Sequence, residues 1–71
     1  MINDETLNLS VRKFLKQFGI KAQRAIEEAI RSADAAGRLD GRSSVTATVA
    51  LELAGLDAAV ELQEDIAFAG D

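Results

Sequence analysis

The residues best placed to do chemistry in this 71-residue chain are five cations near its N-terminal end. No acidic residue lies among them: Arg12, Lys13, Lys16, Lys21 and Arg24. Basic clusters bind phosphate groups because each contact neutralises a charge and releases a counterion. The cluster therefore predicts either a nucleic-acid face or a basic surface that meets an acidic partner protein.

The acidic residues do not predict catalysis or metal binding. Two carboxylate pairs are adjacent in the sequence, Glu27–Glu28 and Glu64–Asp65, and neighbouring side chains point apart in a helix or a strand. The chain has no His and no Cys, which removes the commonest metal ligand and the usual general base at neutral pH. We therefore expect no enzymatic activity, no catalytic residue, no metal site and no cofactor.

Charge is distributed unevenly, although the formal net charge is only −4. Residues 1–44 hold all eight Lys and Arg against six acids, a balance of +2. Residues 45–71 hold six acids and no base, a balance of −6. Phosphate would repel that acidic half, so the charge balance argues against nucleic acid as the partner.

The first half of the chain has the apolar spacing of two amphipathic helices, over residues 3–18 and 22–36. The first helix has a stripe that is expected to face the core: Leu7, Val11, Phe14, Leu15 and Phe18. Gly19 is expected to end this helix in a left-handed conformation. The second helix has a mostly alanine face and starts without a capping residue. Replacing Lys21 in its first turn with Ser is then expected to stabilise the fold by about 0.5–2 kcal/mol.

From Val45 the apolar period changes to two, which indicates β-structure. We expect strands over residues 45–54 and 60–69, joined by a loop of about six residues and paired as an antiparallel hairpin. Glu64 interrupts the apolar face of the second strand. Either a bulge or a division into two shorter strand pieces would accommodate it.

These elements predict one α+β domain over residues 1–71. Its order is α-α-β-β, with a helical hairpin packed on a two-stranded antiparallel β-hairpin. Such a hairpin is marginal in water and a short chain buries little surface, so we expect a homodimer. Pairing of strand edges across a two-fold axis would give a four-stranded sheet. The candidate dimer edge is Val45, Ala47, Val49 and Leu51.

Two functions are compatible with this architecture. The first is a non-enzymatic interaction module that binds a second copy or an unidentified protein. Its candidate partner-binding residues are an exposed leucine and nearby cations: Leu9, Arg12, Lys13, Lys16 and Lys21. The alternative is a nucleic-acid-binding protein similar to a winged helix, using residues 12–24, because two helices, a glycine turn and a β-hairpin occur in that order.

The N-terminus has no signal-peptide pattern, and no stretch approaches the roughly 20 apolar residues of a membrane span. We therefore expect a cytoplasmic protein that does not enter the membrane.

The run NLSVRKFLKQFGIKAQRAIEEAIR, residues 8–31, carries two recognisable patterns. They are N-x-S-x-R-K-F-L-K and, from Gly19, G-I-x-x-Q-R-x-I-E. This run resembles the N-terminal half of a family of short uncharacterised bacterial proteins, a domain of unknown function. The resemblance implies no activity, cofactor or site residue, because none is assigned to that family.

Overall fold

The computed structural model describes residues 1–70 as two compact units, Met1–Arg38 and a second unit that begins at Leu39. The first unit contains one α-helix, α1 (Asp4–Ala35). The second contains strands β1 (Ser44–Leu53) and β2 (Ala58–Ala67), paired as an antiparallel hairpin. The α+β class and the β-hairpin are therefore confirmed. The predicted helical hairpin is wrong, because the element order is α-β-β.

The helix continues through Gly19, where the sequence had predicted a stop. Gly19 is not among the glycines with a positive φ. A glycine inside a helix costs about 1 kcal/mol relative to alanine, which a helix of 32 residues can tolerate. The apolar spacing also keeps its phase across this point. The missing capping residue after Gly19 now has a simple explanation, since no helix begins there and the predicted helices 3–18 and 22–36 are one element.

Both ends of α1 are capped by specific hydrogen bonds. At the start, the Asn3 side-chain oxygen accepts from the backbone N–H of Thr6 at 3.0 Å. At the end, the N–H of Gly37 donates to the Asp34 carbonyl at 3.0 Å, and the next N–H reaches back to Ala33 at 2.9 Å. With a φ of 73° at Gly37, these two bonds form a Schellman motif. The glycine that ends the helix is therefore Gly37.

The two strands pair residue for residue, from Ser44 opposite Ala67 to Leu53 opposite Ala58. The loop is shorter than predicted and consists of residues 54–57, because β2 begins two residues earlier than expected. Within it, the N–H of Leu56 donates to the Leu53 carbonyl at 3.2 Å. Gly55 has a φ of 82°, as the third position of a type II turn requires.

Glu64 is accommodated without a bulge, so both predicted irregularities of β2 are wrong. The register places it directly opposite Ala47, and its side chain is exposed. A small partner residue leaves the carboxylate room to reach solvent. On the other face of the hairpin, the Thr46 hydroxyl donates to the Asp65 carboxylate at 2.9 Å.

Burial is sparse in the described part of the chain. Leu39, 7% exposed, is the one buried side chain among residues 1–70. Alternate residues of β1 are half-buried: Val45, Ala47, Val49 and Leu51. Helix α1 has no buried residue, and its half-buried positions are Ala22, Ile26, Ile30 and Ala33. The core predicted along residues 7–18 of the helix is therefore not formed.

Candidate interaction surface

An exposed apolar stripe follows the N-terminal half of α1. Successive residues of a helix are about 100° apart, so residues spaced by three and four positions share one face. The stripe residues expected in the core are instead about half exposed: Leu7 51%, Val11 46%, Phe14 54%, Leu15 52% and Phe18 42%. The same face continues along the helix through Ala22, Ala25 and Ala29.

The stripe is large for an uncovered surface. A phenylalanine side chain buries about 200 Å² when covered, so half-exposure leaves on the order of 100 Å² for each of Phe14 and Phe18. The five bulky residues together expose about 400 Å², which is within the range of the largest apolar patch on a typical monomer, a patch that is often functional. Because the patch follows one continuous helix, it forms a straight apolar ridge.

The five candidate partner-binding residues do not all lie on the same side of the helix. Leu9, Arg12, Lys13 and Lys16 lie within an arc of about 100° on the side opposite the stripe, and all four are exposed. Lys21 lies about 80° further round and does not join them. The structure therefore brings four of the five candidate residues together.

Ile20 belongs to the same side and was missed as a site residue, because the sequence placed it in a turn. Its side chain is 52% exposed. It follows Leu9 by 11 residues, which is three helical turns. This spacing could have placed Ile20 beside Leu9 from the sequence, but only if the helix was taken to be unbroken.

The side chains of the candidate dimer edge and the backbone atoms that could pair with another strand lie in different places on β1. Val45, Ala47, Val49 and Leu51 lie on one face of the hairpin and are half-buried, because strand side chains stand perpendicular to the sheet. Within the described residues, β1 has β2 as its neighbour in a two-stranded sheet. Its other edge therefore offers backbone N–H and C=O groups, and these atoms would form any strand pairing.

Side-chain hydrogen bonds are few among residues 1–70. No three of their acidic side chains are grouped closely enough to hold a metal ion. Glu27 accepts a hydrogen bond from Gln23 at 3.0 Å within the helix. A small hollow of about 170 Å³ lies at the hairpin turn beside Glu52 and Asp57. No helix in this part of the chain has the length and apolar character needed to span a membrane.

Comparison with known proteins gives one match. The model of a family described as "Family of unknown function (DUF6494)" matches residues 2–69, nearly the whole chain. No curated protein and no solved structure matches the chain.

Proposed function

We propose that this chain, which belongs to that family of unknown function, is a small protein-interaction module that associates with itself. The observation that carries the proposal is the apolar stripe on α1, with Phe14 54% and Phe18 42% exposed. A contiguous apolar patch of this size is often functional. We propose the cytoplasm as the location of the module, which cell fractionation would check.

The energetics of the single chain support an association. Ordering each residue costs about 1–2 kcal/mol of conformational entropy, while Leu39 is the one buried side chain among residues 1–70. Covering about 400 Å² of stripe on each chain would contribute about 10 kcal/mol per chain. Association costs roughly 4–15 kcal/mol and the ordering of side chains costs more, so only the remainder of this gain would appear as affinity.

A second copy is the simplest occupant of the stripe. Two-fold dimers are the commonest protein assemblies, and in them the same patch faces itself. The face around Phe14 can be covered by the same face of a second copy, since both are apolar. The free edge of β1 is a second route to a two-fold dimer, through a four-stranded sheet. A different protein with an apolar surface remains the other class of partner.

Sedimentation equilibrium tests self-association directly. We expect a monomer–dimer equilibrium in the range from about 1 μM to about 1 mM, with little dependence on salt because the contact is apolar. A monomer at every concentration would contradict the proposal. In that case, recovery of a partner from a native lysate, lost when Phe14 is changed to Asp, would support an interaction with a different protein.

Nucleic-acid binding is the alternative proposal, and the exposed cluster of Arg12, Lys13 and Lys16 favours it. The helix-turn-helix geometry that suggested a winged helix is absent, since α1 has no turn between Asp4 and Ala35. Any binding would therefore use the side of a straight helix. Affinity for duplex DNA should then fall by about 10³ or more between 50 and 200 mM salt if six phosphates are contacted. The double change Lys13→Glu with Lys16→Glu should abolish it, and Glu27→Gln with Glu28→Gln is the matched control.

A further inference from the structure

The apolar stripe of α1 is symmetric in its spacing about Phe18. The positions along its centre, which leave Leu15 on one flank, are residues 7, 11, 14, 18, 22, 25 and 29, which are separated by four, three, four, four, three and four residues. The pattern repeats every 11 residues, from Leu7 to Phe18 to Ala29. Eleven residues complete three turns of about 3.67 residues, so the stripe stays on one side of a nearly straight helix.

The sizes of these side chains are not symmetric. Before Phe18 the stripe carries the bulky residues Leu7, Val11 and Phe14, and after it every position is alanine. Ala25 and Ala29 are exposed and Ala22 is half-buried. The side chains of the stripe therefore project far from the helix axis before Phe18 and only a short distance after it.

We infer that two copies pair through this stripe with their helices antiparallel and with Phe18 on the two-fold axis. The inference rests on the proposed self-association and specifies its geometry. In this register each bulky position except Phe18 meets a small one of the second copy, since the residue numbers of opposing positions sum to 36. The opposing pairs are Leu7 with Ala29, Val11 with Ala25, Phe14 with Ala22, and Phe18 with itself.

A parallel pair in register does not fit the same side chains. Phe14 would then meet Phe14 at one end, while Ala25 would meet Ala25 at the other. The helices would be held apart at the bulky end and would leave a gap at the alanine end, where contacts are lost. On either side of Phe18, the antiparallel pair sets a large residue opposite a small one, as close packing requires.

Gly19 provides an independent reason for this register. A Cβ added to Gly19 would meet no atom within 4 Å, so crowding within the chain does not explain a glycine inside the helix. In the antiparallel pair, Leu15 of the second copy lies on the same flank, about 3 Å from the level of Gly19 along the axis. The missing side chain gives that leucine room.

The area and polarity of the stripe also suit a second copy. Two stripes of about 400 Å² bring about 800 Å² of bulky apolar surface together, and the alanines and side-chain stems raise this toward the roughly 1,000 Å² that a biological interface should exceed. Arg12, Lys13 and Lys16 point away from the contact. On one flank, Lys21 comes level with Gln17 of the second copy, to within about 3 Å along the axis, and these two side chains can form a hydrogen bond.

Cysteine cross-linking tests the register cleanly, because the natural chain has no Cys. The full chain is made as two variants, Val11→Cys and Ala25→Cys, which are mixed under reducing conditions and then oxidised. The antiparallel pair predicts the mixed disulfide in at least about tenfold excess over either homodimer, because two copies of position 25 would lie about 20 Å apart. Mass spectrometry separates the three products. A parallel pair would instead give the two homodimers, which would overturn the inference.

The matched control replaces Lys13 with Cys and mixes this variant with Ala25→Cys. Position 13 lies on the far side of the helix, so only a low, unselective yield is expected. An equal yield from this control would also overturn the inference.

The size of residue 19 gives a second measurement. Gly19→Ala should raise the helix content of the chain and yet weaken the dimer at least about tenfold, because the new methyl group meets Leu15 of the second copy. Adding Leu15→Ala should restore most of the lost affinity. A dimer that is unchanged or tighter in Gly19→Ala would overturn the antiparallel register.

Sedimentation of the natural chain distinguishes a wrong register from an absence of self-association. If the chain dimerises but the mixed disulfide does not form, the inferred register is wrong and self-association stands. If the chain is monomeric at all concentrations, both the register and the proposed self-association fail.

Discussion

The helix and the hairpin differ in how their apolar residues are covered. On β1, alternate apolar residues are half-buried and each faces a defined residue of β2, as Val49 faces Leu62. On α1, the bulky residues from Leu7 to Phe18 are largely exposed. A helix makes its backbone hydrogen bonds within itself, so it can form before its apolar face finds a contact, whereas each strand forms only with a partner. Strand β2 is covered no better than the helix, since Val60 is 65% and Leu62 56% exposed.

The largest expected effect comes from placing a charge on the stripe. Phe18→Asp puts two carboxylates together on the inferred two-fold axis and leaves both without a buried partner. We expect the dimer to weaken at least about 100-fold, or about 2.7 kcal/mol, as measured by sedimentation equilibrium. Circular dichroism should show that the helix content of the monomer changes little, because residue 18 is 42% exposed in the single chain.

Lys13→Asp is the control for this change, since it introduces the same side chain on the opposite side of the helix. It should leave the dimer affinity within about threefold of the natural chain. If Phe18→Asp also left dimerisation intact, the contact would lie elsewhere, and the edge of β1 would become the leading candidate.

The stability of the hairpin should depend on the backbone conformation of its turn. Gly55 has a φ of 82°, where an L-residue is strained by about 1–2 kcal/mol. Gly55→Ala should therefore destabilise the hairpin by about that amount in urea unfolding, although a Cβ there would meet no atom within 4 Å. Gly70→Ala, at a glycine without a positive φ, should have little effect, and equal losses in both variants would contradict the turn geometry.

The N-terminal cap of α1 should have a smaller effect. Asn3→Ala removes the oxygen that accepts from Thr6 at 3.0 Å, and loss of such a cap costs about 1 kcal/mol. Asn3→Ser keeps an acceptor at the same position and should restore most of that stability. The expected order in thermal unfolding is therefore the natural chain, then Asn3→Ser, then Asn3→Ala. If Asn3→Ser were no more stable than Asn3→Ala, the hydrogen bond would not be what stabilises the helix start.

The hairpin was predictable because its signal is local. A period of two and a glycine-containing loop define a pair of strands, and the observed bounds differ from the predicted ones by one or two residues. The predicted bulge at Glu64 failed for a reason that depends on register. A carboxylate on an apolar face looks unfavourable until the residue opposite is known to be Ala47.

The helix was harder to predict because glycine can either end a helix or occur inside one. Glycine ends a helix at residue 37, where φ is 73°, and it occurs inside the same helix at residue 19. The sequence did contain a distinguishing sign, since the residues after Gly19 offer no cap while the apolar phase continues from Phe18 to Ala22. Exposure of the stripe was beyond sequence reasoning, because periodicity shows that a face is apolar and does not show what covers it.

The smallest expected change in stability is that of Lys21→Ser. Its sign distinguishes one continuous helix from two helices with a break near Gly19. If a second helix began near this residue, Lys21→Ser would add a cap and stabilise the chain by about 0.5–2 kcal/mol. Inside one continuous helix, serine competes with the backbone for hydrogen bonds. The same change should then destabilise the chain by about 0.3 kcal/mol. Replicate urea titrations can resolve this difference when Lys21→Ala, expected to be neutral or slightly stabilising, is measured beside it. Stabilisation by serine but not by alanine would place a helix start at this point. It would also remove the unbroken stripe on which the antiparallel pairing depends.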